Sequence, residues 1–389
     1  MSYKKQLLPM VVAVGIAMTL SACTEKESSS DAGGTDAIKI VSTDKECRVS
    51  PKSAPSGNIT FDVKNSGSKV TEFYLLGADG LKIIGEVENI GPGLTRKLIV
   101  TAGPGKYFGA CKPGMVGDGI RSDFEVTDSG ADLTPKGEFA DQLTAATDKY
   151  ASYVRDQADQ LVAGTAEFVE LYKGGNDDAA REKYAPTRMH WERIEPVAES
   201  FGDLDPKLDL READLEAGQT WTGWHRIEKD LWPQTDPAYK AMSPAERATI
   251  ADQLVTDTKD LRSRIQDLTY TPTQLGNGAK ELLDEVATGK VTGEEEIWSG
   301  TDLWDFQANV DGARIAFEVL EPVVTAKDKA LSETLTERFA SLQSLLDSHR
   351  KDDGFKGYKE LTSDEVKVLA DAVNALSEPL SKLTATVAL

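Results

Sequence analysis

Histidine is scarce in this chain: three in 389 residues, at positions 190, 225 and 349. No two stand one helical turn apart, so the His-Glu-x-x-His zinc-peptidase motif, with two imidazoles and a glutamate base, is absent. No local pattern marks a nucleophile, and sequence order does not fix a Ser-His-Asp or Cys-His geometry. Cysteine is equally sparse, at Cys23, Cys47 and Cys111. Positive charge is short as well: 44 Lys and Arg face 65 Asp and Glu, a net charge of −21. That argues against nucleic acid and against anionic membrane surfaces as partners. It is compatible with attracting cations, although solubility explains acidity equally well. The apolar run at residues 7–20 is too short for a typical membrane-spanning helix.

That run follows Lys4 and Lys5 and ends in Leu20-Ser21-Ala22-Cys23. A basic start, an apolar core and small residues before a cleavage point describe an export signal. The Cys directly after the small residues resembles a bacterial lipobox. This implies a signal peptide at residues 1–22, cleavage before Cys23 and lipid on its sulfur, anchoring the chain to the outer face of the cell membrane. Residues 23–36, rich in Ser, Gly and charge, read as a flexible tether. The mature chain of about 365 residues suggests two or three domains. Cys47 and Cys111 remain, and in an exported protein they most simply pair; the alternative is two thiolate metal ligands.

Two periodicities divide the rest. Over residues 37–128, Ile59, Phe61 and Val63 alternate, as do Leu98 and Val100, and Gly and Pro punctuate the runs. Short alternating strands with such turns read as a β-sandwich. Residues 129–138, SGADLTPKGE, read as a linker. From 139 to 389 the period is helical. The first long segment ends on a Gly pair at Gly174 and Gly175, a C-cap signal, and similar helices recur at 243–265, 277–291, 303–320 and 363–387. The expected fold is multidomain β + α: a sandwich followed by an α-helical bundle.

Two histidines lie between Met189 and Trp232. His225 and Glu228 are three apart and share one face of a helix. Glu192 and Glu195 repeat that spacing. Imidazole and carboxylates converging from helices are how a bundle builds a metal site. The acidic run Glu294 to Glu296 offers a further carboxylate, Glu295, although such a run is more often a solvated face. His190, with Arg193 rather than a carboxylate three residues on, and His349, in a polar stretch near a helix end, read as the weaker candidates, the latter as a surface residue. Trp191, Trp224, Trp298 and Trp304 read as core.

The segment Gly223-Trp224-His225-Arg226-Ile227-Glu228 resembles the Gly-x-His-x-x-Glu signature of the imelysin-type family, and the stretches HWERIEPVAESFGDLD and TDLWDFQANVDGA look like that family too. The resemblance implies a metal site at Glu192, Glu195 and Asp209, with His225 and Glu228 of the signature beside it. The sandwich resembles a cupredoxin at Asn65 to Phe73 and Tyr107 to Met115. Copper-carrying cupredoxins place His where Glu72 and Met115 stand here, and no histidine precedes His190. A blue-copper site needs two imidazoles with the thiolate, so type 1 copper electron transfer is not expected. Glu72 with Cys111 and Cys47 remains as a weak cation site, or the sandwich is closed by a Cys47–Cys111 disulfide. Sandwich and bundle together resemble the extracytoplasmic component of bacterial iron uptake systems. That implies iron, Fe2+ or Fe3+, as the metal, with copper or zinc as alternatives. It also implies a membrane iron permease and a haem peroxidase-like protein as partners. The competing classes are a metal-dependent peptidase of the imelysin type and a metal-free structural lipoprotein.

Overall fold

The computed structural model describes residues 37–130, 133–135 and 137–388. The expected signal peptide, the tether and Cys23 lie outside the described residues. Among the described residues no helix is long and apolar enough to cross a membrane.

The alternating runs form strands: β1 (Ile38–Ser42), β2 (Cys47–Ser50), β3 (Ser53–Pro55), β4 (Gly57–Asn65), β5 (Thr71–Leu76), β6 (Ile83–Ile90), β7 (Thr95–Ala102), β8 (Gly105–Pro113) and β9 (Ile120–Thr127). They make two sheets, ordered β2-β1-β4-β7 and β3-β9-β8-β5-β6. Side chains alternate between the two faces of a strand. Ile59, Phe61 and Val63 of β4 therefore meet Phe73, Cys111 and Phe124 of the other sheet in one apolar core.

Cys47 on β2 and Cys111 on β8 are joined by a disulfide that ties one sheet to the other. The expected grouping of Glu72 with these sulfurs does not form. Phe73 lies opposite Cys111 in the β5–β8 ladder, so both point into the core. Glu72, one residue earlier, points to the outer face. There it accepts a 2.6 Å hydrogen bond from the Tyr74 hydroxyl and lies 3.9 Å from the Lys112 ammonium. The sulfurs are bonded to each other, and Glu72 is on the wrong side of the sheet to join them.

The helical part comprises α1 (Ala140–Lys173), α2 (Asp177–Glu192), α3 (Glu195–Glu199), α4 (Asp205–Leu208), α5 (Trp224–Leu231), α6 (Pro244–Ile265), α7 (Pro272–Thr288), α8 (Asp302–Lys327), α9 (Lys329–Asp347), α10 (Ser363–Leu380) and α11 (Leu383–Ala388). Their boundaries follow local chemistry. Ser243 with Glu246, Thr271 with Gln274 and Thr362 with Glu365 are capping boxes opening α6, α7 and α10, and Pro244 and Pro272 take the first helical position. Gly175, at φ +72°, ends α1, and the Asn176 N–H turns back to the Leu171 carbonyl.

The helices pack around one continuous apolar core that includes Trp191 and Trp224. Sandwich and bundle belong to the same compact unit. They meet where α7 lies along β6 and β7: Asn277 donates to the Ile99 carbonyl at 3.0 Å, and the Thr273 hydroxyl receives the Thr101 N–H at 3.2 Å.

Candidate metal centre

Inside that apolar core sits a knot of charge. The last turn of α2 supplies Arg188, Trp191 and Glu192, and α3 begins with Glu195. Asp209 follows α4, and α5 carries His225 and Glu228. The turn after α7 brings Lys290, the next loop Glu295 and Glu296, and α8 Asp302, Asp305 and Asn309. All are buried. Apolar packing of the helix stripes drives these polar groups together, and burial of charge is tolerable only where charges pair and hydrogen bond.

Gly223 explains how Asp209 comes to face His225. Its φ is +87°, a region that favours glycine, and a Cβ there would stand 2.2 Å from the Leu208 carbonyl oxygen. The backbone before Asp209 thus rests directly on the start of α5, two residues from the imidazole.

His225 lies between two sets of carboxylates. Its Nε2 is 3.4 Å from Asp209 Oδ1 and 3.4 Å from Glu295 Oε1, without a hydrogen bond to either. Its Nδ1 is hydrogen-bonded to Glu228 Oε2 at 3.3 Å, with Glu296 Oε1 at 3.9 Å. Glu228 is held from behind by the N–H groups of Trp298 and Ser299, at 3.0 and 2.7 Å. Asp209 accepts the Trp191 indole N–H at 2.7 Å, so Trp191 positions a site carboxylate as well as filling core.

Two fixed cations occupy the knot. Arg188 is paired with Asp209, and its Nη2 reaches Glu192 at 2.5 Å and Glu295 at 3.1 Å. Its Nε lies 2.6 Å from Glu296 and 3.6 Å from Asp305. Lys290 lies between Glu192 and Glu195, at 2.9 and 2.8 Å, and the Asn309 amide donates to both. Eight buried carboxyls thus face two buried cations and one histidine, with Arg211 reaching Glu295 from the edge at 3.4 Å. Among the described residues neither oxygen of Asp305 has a hydrogen bond.

The protonation pattern follows. Burial pushes the Glu192 carboxyl up, and Glu195 adds to it against Lys290 and Arg188, leaving it at about 8. Burial likewise raises Glu195 to about 7 against Lys290. Glu296 and Asp305 are raised well above the usual range, first by burial and then by neighbouring carboxylates. For Asp209, burial is outweighed by Arg188 and His225, which hold it below the carboxylate range. Lys290 and His225 do the same for Glu295, against burial, at about 2. Burial and Arg188 push the His225 imidazole down, but the adjacent Asp209, Glu228 and Glu295 carboxylates push it further up, well above an ordinary histidine.

Three groupings have donor atoms within 4.8 Å of one another: Asp209 with His225 and Glu295, His225 with Glu228 and Glu296, and Glu192 with Glu195 and Asp209. The structure therefore brings Glu192, Glu195, Asp209, His225, Glu228 and Glu295 to one place. His190 stays outside, hydrogen-bonded to Gln157 at 2.8 Å, and burial lowers it to about 4. His349 is not the expected surface residue: it is buried beneath the turn after α9, 3.8 Å from Glu365. In the acidic run Glu294 is exposed, while Glu295 and Glu296 turn inward. Sequence reasoning missed Arg188, Lys290, Glu296, Asp305 and Asn309. Arg188 stands four residues before Glu192, a helical ion-pair spacing; Glu296 ends the acidic run from which Glu295 was singled out, Asp305 and Asn309 lie in the family-like stretch at residues 301–313, and Lys290 carries no local signal.

A cupredoxin-like sandwich ahead of a helical bundle with this buried carboxylate and histidine centre defines a class, and comparisons agree. The family model for imelysin matches residues 146–383, and that for the cupredoxin-like domain residues 10–121. The iron uptake system component EfeO of Yersinia pestis is 36% identical over 358 residues, 91% of this chain and 92% of the relative. EfeO of Escherichia coli O1:K1 is 36% identical over 349 residues, 89% and 90% of the two chains. A protein of Staphylococcus haemolyticus named as an Efem/EfeO family lipoprotein is 42% identical over 270 residues, 69% of this chain and 92% of its own. The chain belongs to the EfeO family of imelysin-domain iron uptake components.

Proposed function

We propose that this protein is the extracytoplasmic iron-binding component of an uptake system, capturing iron in the helical domain and passing it to a membrane permease. The observation that carries this is the His225 pocket. An imidazole flanked on both sides by carboxylate pairs lies within a knot whose carboxyls outnumber its cations. Carboxylate oxygens with one imidazole suit iron in either oxidation state. Asp209, His225 and Glu295 would hold the ion on one side, and Glu228 and Glu296 offer a second position across the ring. Cys23 as the lipid anchor fits the lipoprotein name of the staphylococcal relative. A haem peroxidase-like partner would act on the iron before or after capture.

The test is thermal unfolding of the purified mature protein with and without iron. Binding to the folded state alone stabilises by about 2.7 kcal/mol at a hundredfold excess over Kd. His225→Gln is expected to abolish that gain while leaving the metal-free protein folded. A wild-type midpoint indifferent to ferrous and ferric iron would refute the reading.

A further inference from the structure

The buried centre is sealed from solvent. His225, Glu228 and Glu296 are 0% exposed, so an ion reaches them only when some part of the fold moves. One stretch beside them takes no part in the apolar packing: the strap at residues 210–222, between α4 and α5. From Asp209 to Gly223 no residue belongs to the apolar core, whereas Leu208 and Trp224 on either side do. Residues 212–220 are exposed apart from the half-buried Leu215. Segments with few buried apolar contacts are those that open at the lowest free energy.

The strap closes on itself. The Trp221 indole N–H donates to the Leu210 carbonyl at 2.7 Å, and the Thr222 hydroxyl to the Lys207 carbonyl at 2.8 Å. Its two ends thus lie together, the form of an Ω-loop. Asp209 stands at one root, and His225, two residues past Gly223, at the other. Among the described residues, two hydrogen-bonded ion pairs tie residues 211–220 to the rest of the chain. Arg211 lies 3.4 Å from Glu295, and Glu212 accepts from the Lys229 ammonium on both oxygens, at 2.6 and 2.7 Å. Trp221 packs on Trp298 with ring centres 5.8 Å apart, and the Trp298 N–H is one of the two that hold Glu228. The strap therefore touches the centre on both its Glu295 side and its Glu228 side.

We propose that residues 210–222 are a lid over the centre, latched by the Glu212–Lys229 pair, and that the ion enters and leaves when this pair parts. The proposal rests on the iron reading for the identity of the ion. Lys229 is also 3.4 Å from Asp236, so its ammonium keeps a partner when Glu212 lets go. The closed roots let the strap lift as a unit. Lids of this kind set the rates of entry and exit. The latch closes over the loaded and the empty centre alike, so weakening it speeds capture and release together and leaves Kd unchanged. A purely electrostatic role predicts otherwise: loss of the Glu212 charge would slow cation capture, and loss of the Lys229 charge would speed it.

The experiment compares wild type, Glu212→Gln and Lys229→Gln as the full mature chain. Stopped-flow tryptophan fluorescence at low iron reads the loading rate, and chelator competition reads the release rate. Hydrogen exchange of the Trp298 and Ser299 amides in the metal-free protein reads lid opening without iron. Both variants are expected to load and release about threefold faster at unchanged Kd, the order of change that one ion pair of this kind supports. The two amides are expected to exchange faster by the same factor, while the amides of α6 keep the wild-type rate, which separates lid opening from loss of the fold. A wild type that takes up no iron sinks the iron reading, and amide exchange then decides the lid alone. Loading rates that move in opposite directions in the two variants, or amide exchange unchanged in both, overturn the lid.

Discussion

At the scale of single residues, the centre is a set of carboxyls driven apart in acidity by their neighbours. Glu192 and Glu195 are raised, to about 8 and about 7, chiefly by burial. A raised carboxyl stabilises the fold while protonated. That contribution is full below its unfolded value of about 4.5 and is lost as pH rises through 7 to 8. Asp209 and Glu295 are lowered, so their contribution is present above the unfolded value and is lost only in strong acid. The metal-free protein is therefore expected to lose thermal midpoint as pH rises from about 6 to about 8.5. Saturating iron should flatten or reverse that limb, because ligands must shed protons to bind. A metal-free midpoint that climbs over this range would contradict the assignment. The sequence pointed to His225 with Glu228, which share α5, and to Glu192 with Glu195, although a turn between α2 and α3 separates that pair. It could not reveal Lys290, which meets Glu195 from 95 positions away. Nor could it reveal Asp305, whose burial is set by the packing of α8.

At the scale of elements, the helices were legible where capping chemistry and apolar stripes agree, as at α1, α6 and α10. The sandwich was legible from its alternation. That alternation also carried the information that separates Glu72 from Cys111. Phe73, their common reference, is apolar and belongs inside, so its sequence neighbour belongs outside. Resemblance to a copper site obscured a period-two argument that the strand itself supplied. The short element α5 depends on Gly223. Gly223→Ala must both adopt a positive φ and push back the Leu208 carbonyl. The expected result is a loss of roughly 1–3 kcal/mol of stability, together with iron binding weakened at least tenfold because Asp209 is displaced from His225. Unchanged iron affinity in a destabilised Gly223→Ala protein would show that this contact supports the fold and not the site.

At the scale of the whole molecule, the Cys47–Cys111 cross-link spans a sequence separation of 64 and lies wholly in the sandwich, whereas every residue of the carboxylate and histidine centre lies in the helical part. Reduction is expected to lower the stability of the sandwich by about 2–5 kcal/mol. Calorimetry should then show a lowered unfolding transition that iron does not restore, while iron affinity near 25 °C is unchanged. Loss of iron binding on reduction would mean that the two parts are energetically inseparable. One further consequence belongs to Arg188, whose guanidinium already lies among Asp209, Glu192, Glu295 and Glu296. For an iron carrier built this way, loading is a substitution reaction, with an arginine arm as the departing group. Its speed would level off at high iron concentration, at the rate at which that arm swings clear. Unloading would be assisted by the arm's return, letting a tight grip coexist with prompt release.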